Sequence, residues 1–178
     1  MDRYAKFFEE TFQNEGAFQK NPKDKGNWHN GELYGTIYGI TARDHFSSFM
    51  TTFLLYNKGL LKEAKGYARE FYYAQGYWNP LYDKIESEAL AFKLFDFGVN
   101  AGVKKAVQLL QEVLMSFRVN LEPDGVFGSI TLEAVNKVPA EGLYNAYIAR
   151  LEKYYRSLKT FNIFGIGWLK RLMRKFSG

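Results

Sequence analysis

The sequence predicts a mainly α protein interrupted once, near its N-terminus, by an irregular Gly-rich motif loop or small β-hairpin. Three observations carry this. Apolar residues recur at helical spacing, as in Tyr4, Phe8 and Phe12. Helix-ending signals close the periodic runs at Gly16, Asn57-Lys58-Gly59 and Gly76. Residues 16–40 lose the period and are rich in Gly and Asn, with Asn21-Pro22 among them.

Taken in order, Asp2 caps a first helix that stops at Asn14-Glu15-Gly16. The loop that follows, or its short hairpins, carries Leu33-Tyr34 and Ile37-Tyr38. A long irregular segment inside a compact domain is usually functional. Thr41-Ala42-Arg43-Asp44 resembles a capping box for a helix running to Tyr56. Residues 60–75 form another amphipathic helix, and 83–98 and 102–117 two more, broken at Gly98 and Gly102. Glu122-Pro123-Asp124-Gly125 is a turn. Ser129 caps a short helix to Asn136, and 140–159 form the last long helix. A basic amphipathic tail, 166–176, ends the pattern.

The chain has 178 residues, 47% hydrophobic and 24% charged, which fits one domain or one with a small appendage. With no Cys, disulfide scaffolds, thiolate zinc sites and thiol catalysis are excluded. Only His29 and His45 are present, too few for a three-histidine metal site, so no metal and no cofactor are expected. The net charge of +5 favours a polyanionic partner: nucleic acid, anionic lipid or bacterial cell wall. Lys and Arg are dispersed without base-reading spacing, so no nucleic acid is expected. Met1-Asp2-Arg3 opens a charged stretch without a signal-peptide pattern, and no apolar run reaches membrane-span length. The expectation is a monomer made in the cytoplasm.

Glu15 stands out chemically. A carboxyl at a helix C-terminus faces the negative end of the macrodipole, and Phe12 and Phe18 lie close in sequence. Both effects disfavour the anion, and a protonated carboxyl is what glycoside cleavage needs at its leaving oxygen. Asp24 lies nine residues on and offers a second, ionised carboxylate. Helices often end in Glu, and Asp in a Gly-rich loop usually makes a turn, so spacing alone favours the bland reading.

The order of motifs adds to this. Glu15-Gly16-Ala17-Phe18, Asp24-Lys25-Gly26 and Thr36-Ile37-Tyr38-Gly39-Ile40-Thr41 resemble the N-terminal motif of family 108 glycoside hydrolases. Tyr77-Trp78, Phe95-Asp96-Phe97-Gly98-Val99-Asn100-Ala101-Gly102 and Gly167-Trp168-Leu169-Lys170-Arg171 resemble later pieces of that family, in order. Leu110-Gln111, Asp124-Gly125-Val126-Phe127-Gly128 and Thr131 look like the peptidoglycan-binding half usually attached to it. Two departures stand out. Ala17 replaces a second Gly, and the segment Asn27 to Gly35 is longer than the family's usual Asp-to-Thr connection.

The resemblance implies a lysozyme-like fold, with a catalytic half at 1–91 and a helical peptidoglycan-binding half at 92–178. It implies an N-acetylmuramidase acting on bacterial peptidoglycan, with Glu15 as general acid, Asp24 as second carboxylate and Thr36 as a third polar residue. It also implies an enzyme that reaches the wall through a pore, as phage endolysins do, or on a particle. Tyr38, Tyr77 and Trp78 are candidates to stack on sugar rings, against the plainer expectation of core packing. Asp96 and Asn100 either face the cleft or tie the turn after their helix. The tail, with Ile166, Leu169, Leu172, Met173 and Phe176 beside Lys170, Arg171, Arg174 and Lys175, either docks on the body or makes weak contact with an anionic membrane. Two alternative functions stay open: a lytic transglycosylase at the same bond, and a non-catalytic wall-binding module.

Overall fold

In the computed structural model, which describes residues 2–12 and 17–176, Asp2 caps the first helix, α1 (Arg3–Phe12). Its Oδ1 accepts the Ala5 amide at 2.7 Å, satisfying a donor that the helix leaves free. The chain forms two compact units, Phe8–Gly76 and Met1–Phe7 with Tyr77–Gly178. Helices dominate both, and among the described residues strands are confined to the segment before residue 42. The mainly α, lysozyme-like expectation holds.

In the unit Phe8–Gly76, the irregular segment resolves into two miniature sheets. Strands β1 (Phe18–Gln19), β4 (Thr36–Ile37) and β5 (Ile40–Thr41) pair antiparallel in the order β1-β4-β5. Strands β2 (Trp28–His29) and β3 (Glu32–Leu33) form a separate hairpin. Its two-residue turn is Asn30-Gly31, with φ 48° and 82°. Positive φ at both central residues gives the turn the twist of its strands, and Asn-Gly reaches it at least cost. The β4–β5 turn does the same with Tyr38-Gly39, at φ 45° and 75°. A tyrosine there is strained backbone. Burial of its side chain, 8% exposed, and a hydrogen bond from the Tyr72 hydroxyl to its carbonyl at 3.2 Å hold it in place.

Helices α2 (Phe46–Asn57) and α3 (Leu61–Ala74) pack against each other, and α2 also covers β4 and β5. The core beneath them holds Phe8, Phe12, Ile37, Ile40, Phe49 and Tyr72. Each such side chain, fully buried, contributes about 2 kcal/mol from the water it leaves. The Thr41–Asp44 box forms, with the Asp44 amide donating to Thr41 Oγ1 at 3.3 Å. It closes a turn ahead of α2, which begins only at Phe46 after His45.

In the other unit a 3-10 turn (Pro80–Lys84), capped by Asn79, leads into α4 (Glu88–Ala101). The expected helix 83–98 therefore starts later, at the Ser87 cap, and runs past Gly98. That glycine is buried against Val103 and Ala106, and packing offsets the roughly 1 kcal/mol it costs inside a helix. The break falls at Gly102, with φ 92°, before α5 (Val103–Ser116). Helix α6 (Ser129–Lys137) has Gly128 rather than Ser129 at its cap. Helices α7 (Ala140–Ser157) and α8 (Phe161–Leu172) pack side by side. Helix α4 is buried continuously from Leu90 to Gly98. Around it, Tyr4, Phe7, Trp78, Tyr82 and Phe95 form an aromatic cluster with tilted or edge-on rings. No helix among the described residues is long and apolar enough to cross a membrane.

Candidate active site

The polar residues of the N-terminal motif meet on the sheet of the unit Phe8–Gly76. The antiparallel register sets Gln19 opposite Thr36 and Thr36 opposite Thr41. Asp24 opens the 3-10 turn Lys25–Asn27, its Oδ1 accepting the Gly26 amide at 2.9 Å. Its Oδ2 accepts from the Gln19 side-chain amide at 3.0 Å. Gln19 and Asn27 join their amides reciprocally, at 3.0 Å and 2.8 Å, and the Thr36 hydroxyl donates to Asn27 Oδ1 at 2.6 Å. Asp24, Gln19, Asn27 and Thr36 thus form one unbroken hydrogen-bonded path.

Asn27 is the centre of this path and is fully buried. Its side-chain amide also donates to the Asn21 carbonyl at 2.8 Å. Its own carbonyl accepts the Tyr34 and Gly35 amides at 2.8 Å and 3.0 Å. These last bonds pinch the β2–β3 hairpin shut at its base. The longer Asn27-to-Gly35 connection therefore leaves the polar path intact and delivers Thr36 beside Asn27. Gly35 is required here, because at φ 124° an added Cβ would lie 2.6 Å from the Gln19 carbonyl oxygen and from the Phe18 ring.

Asp24 is exposed, and both of its oxygens retain open lone-pair directions. Arg43 lies near enough to add attraction, although its guanidinium pairs with Asp44 at 2.8 Å. That pair holds the Asp44 carboxyl below the usual carboxylate range. Tyr38 sits at the β4–β5 turn, and burial, followed by the charges of Tyr56 and Glu9, pushes its hydroxyl up. Its amide donates to the Ala17 carbonyl at 2.7 Å, fixing the chain just after the Glu15-Gly16 motif. Glu15 itself lies outside the described residues.

The remaining predicted positions separate from this group. Tyr77 and Trp78 belong to the other unit. The Trp78 indole is 6% exposed and packed by the rings of Tyr4, Phe7, Tyr82 and Phe95, so its faces are taken by core packing rather than by sugar. Asp96 is 2% exposed and paired with Arg171 at 2.9 Å, a buried charge contact and not a cleft residue. Asn100 is exposed and accepts a hydrogen bond from the Tyr155 hydroxyl at 2.9 Å, tying α4 to α7. Among the described residues no cluster of His, Asp and Glu is arranged to hold a metal.

Two members of this path are invisible in the sequence pattern. Gln19 and Asn27 read there as loop residues, and only strand register puts them between Asp24 and Thr36. Trp28 fell in the inserted segment, yet its indole is 38% exposed on β2, with Nε1 donating to the Pro22 carbonyl at 3.0 Å. His29 stacks on Phe46 with ring centres 4.0 Å apart.

Comparison with known proteins bears on the same regions. The family model described as Glycosyl hydrolase 108 matches residues 8–102, and that described as Predicted Peptidoglycan domain matches residues 105–173. Among solved structures, that of Brucella abortus SagA is similar at 29% identity and a TM-score of 0.67, with 95% of this chain and 88% of that chain covered. The search of curated proteins finds no match.

Proposed function

The chain belongs to the glycosyl hydrolase 108 family, and from that premise we propose that it is an N-acetylmuramidase cleaving the β-1,4 bond between N-acetylmuramic acid and N-acetylglucosamine. That it is a glycoside hydrolase with peptidoglycan as its polymer follows from the two matched regions. In this reading residues 1–91 carry the chemistry and 92–178 the contact with the wall. Glu15 donates a proton to the departing glycosidic oxygen. Asp24 has an amide donor on each oxygen to fix its orientation, and it stabilises the positive charge that develops on the sugar or positions a water. Thr36 donates its proton to Asn27, so its oxygen is left as an acceptor for that water.

The observation that carries this reading is the path from Asp24 through Gln19 and Asn27 to Thr36. It supports a hydrolase over a lytic transglycosylase, which closes the ring with the sugar's own hydroxyl and needs no second oriented carboxylate. The test is digestion of purified peptidoglycan by the wild type and by Glu15→Gln, after matching circular dichroism, with products read by mass spectrometry. Reducing muramic acid ends from the wild type alone are expected. Anhydro ends would assign the transglycosylase. Binding without soluble fragments from a folded wild type would leave only a wall-binding module.

A further inference from the structure

Helix α8 has two faces, and the fold uses only one of them. On the inner face Gly165 and Leu172 are buried, and Trp168 stacks on Tyr155 with ring centres 5.3 Å apart. Arg171 reaches Asp96 there, and just beyond the helix Phe176 lies against Phe7 and Phe92 at 4.9 Å and 5.5 Å. These contacts dock the tail through its inner face. On the outer face Ile163 is 74% exposed, Ile166 77% and Met173 63%, with Phe164, 53% exposed, at its edge. Ile163, Ile166, Lys170 and Met173 follow one another at steps of three, four and three residues, so they form one stripe along the helix. Large apolar side chains exposed singly are ordinary, but three on one twelve-residue helix and a fourth, Met173, at its C-cap make a patch that water disfavours.

We propose that this outer face of α8 lies on the surface of an anionic lipid bilayer. The charge pattern selects this occupant. Residues 157–178 contain no Asp or Glu, while Lys159, Lys170 and Lys175 are exposed around the stripe. None of these three lysines forms an ion pair among the described residues. A face with aliphatic side chains in the middle and unneutralised cations around them matches the acyl–headgroup boundary. The aliphatics enter the apolar layer, and the lysine stems reach back to anionic headgroups. The helix is too short to span, so it lies in the plane of the surface. A second copy of the chain would suit this face less well, because antiparallel pairing would bring its lysines together.

The test uses the full chain and sedimentation with two vesicle preparations, phosphatidylcholine alone and phosphatidylcholine mixed with phosphatidylglycerol. The wild type is expected to sediment with the anionic vesicles and far less with the neutral ones. The Ile163→Glu/Ile166→Glu variant replaces only exposed side chains, so it should keep its circular dichroism spectrum and its activity on soluble glycan. It should lose about tenfold or more in vesicle affinity. Lys170→Glu should weaken binding less, and added salt should weaken it further in both proteins. Three results would overturn the proposal: no sedimentation with anionic vesicles, equal binding by wild type and the double variant, or concentration-dependent dimers that the double variant abolishes without any vesicle binding.

Discussion

Asp96 and Arg171 stand 75 residues apart in the chain and meet at 2.9 Å in the protein interior. Lys93, one turn before Asp96, completes the group at 3.8 Å, and its ammonium also donates to the Arg174 carbonyl at 3.0 Å and the Arg171 carbonyl at 3.3 Å. A cation at the C-terminal end of α8 complements the helix dipole. The Phe-Asp motif of α4 and the Gly-Trp-x-x-Arg motif of α8 are therefore two halves of one latch that seats the tail helix.

Removing Arg171 should be costly and catalytically silent. Arg171→Met leaves Asp96 buried with a single, more distant cation, and breaking such a pair from one side costs about 3–5 kcal/mol. The melting temperature should drop markedly, while kcat/KM per folded molecule stays near wild type. A KM rise without loss of stability would return Asp96 to the substrate cleft.

The latch should also give stability a specific pH slope. Burial pushes the Lys93 ammonium from 10.5 down to about 8, with Asp96 opposing and Arg171 and Arg174 adding to the shift. The unfolded chain therefore holds this proton more tightly than the folded one. Below about pH 8 both states are protonated and the penalty is fully present; between about 8 and 10.5 the unfolded state binds more protons, so stability rises with pH. Burial raises the Tyr147 and Tyr155 hydroxyls, which act in the opposite direction above about pH 10. Melting curves from about pH 7 to 9.5 should show the wild type gaining on Lys93→Met. A constant difference between the two would contradict the shift.

The helices were legible in the sequence because burial of one face writes itself into a period of 3.6 residues. Asp2 capped as expected, and Gly76 and Gly102 marked real boundaries, while Gly16 lies outside the described residues. Gly98 misled because a glycine stops a helix only where nothing packs on it, and here the neighbouring helix does. Asp24 and Thr36 were legible as residue types in a motif, but the amide pair joining them was not. Gln19 and Asn27 are neighbours only through the pairing of β1 with β4 and the pinched hairpin. Asp96 and Asn100 looked available for substrate because their partners, Arg171 and Tyr155, come from helices far along the chain.

Asn27 should matter more to rate than to substrate binding. Asn27→Ala removes the acceptor of the Thr36 hydroxyl and half of the amide pair with Gln19, which steadies Asp24. The buried partners left unpaired cost about 1–3 kcal/mol of stability. In the folded fraction kcat should fall about tenfold or more, with KM little changed, because only positioning is lost. Steady-state kinetics on a soluble muropeptide oligomer separates the two parameters, and an unchanged kcat would remove the path from the mechanism.

Gly39 and Tyr72 should be coupled. A Cβ at Gly39 would collide with the Tyr72 hydroxyl, and φ 75° already disfavours any L side chain. Gly39→Ala should cost about 2–4 kcal/mol from strain and clash together. Tyr72→Phe alone forfeits the hydrogen bond to the Tyr38 carbonyl, about 1 kcal/mol. It also clears the space the methyl needs. The double variant should therefore be more stable than the two single losses predict, a coupling that a denaturation cycle measures directly. Additive losses would place the Gly39 cost in the backbone alone.

Trp28 should bind glycan. Of the three tryptophans it is the exposed one, carried on the inserted hairpin whose base is closed at Asn27, next to Asp24. An indole with an open face suits the apolar side of a pyranose, and its Nε1–H is already satisfied by the Pro22 carbonyl, so the ring is oriented before substrate arrives. Trp28→Ala removes that surface from an exposed position and should leave the melting temperature almost unchanged. The loss of about 1–2 kcal/mol of stacking should appear as a roughly tenfold rise in KM with kcat nearly constant, because the contact is made equally in ground and transition states. Trp28→Phe should recover most of the affinity. If KM is the same for Trp28→Ala and wild type, the hairpin contributes no sugar subsite, and the polar path of Asp24 and Thr36 alone would define the substrate-facing surface of this unit.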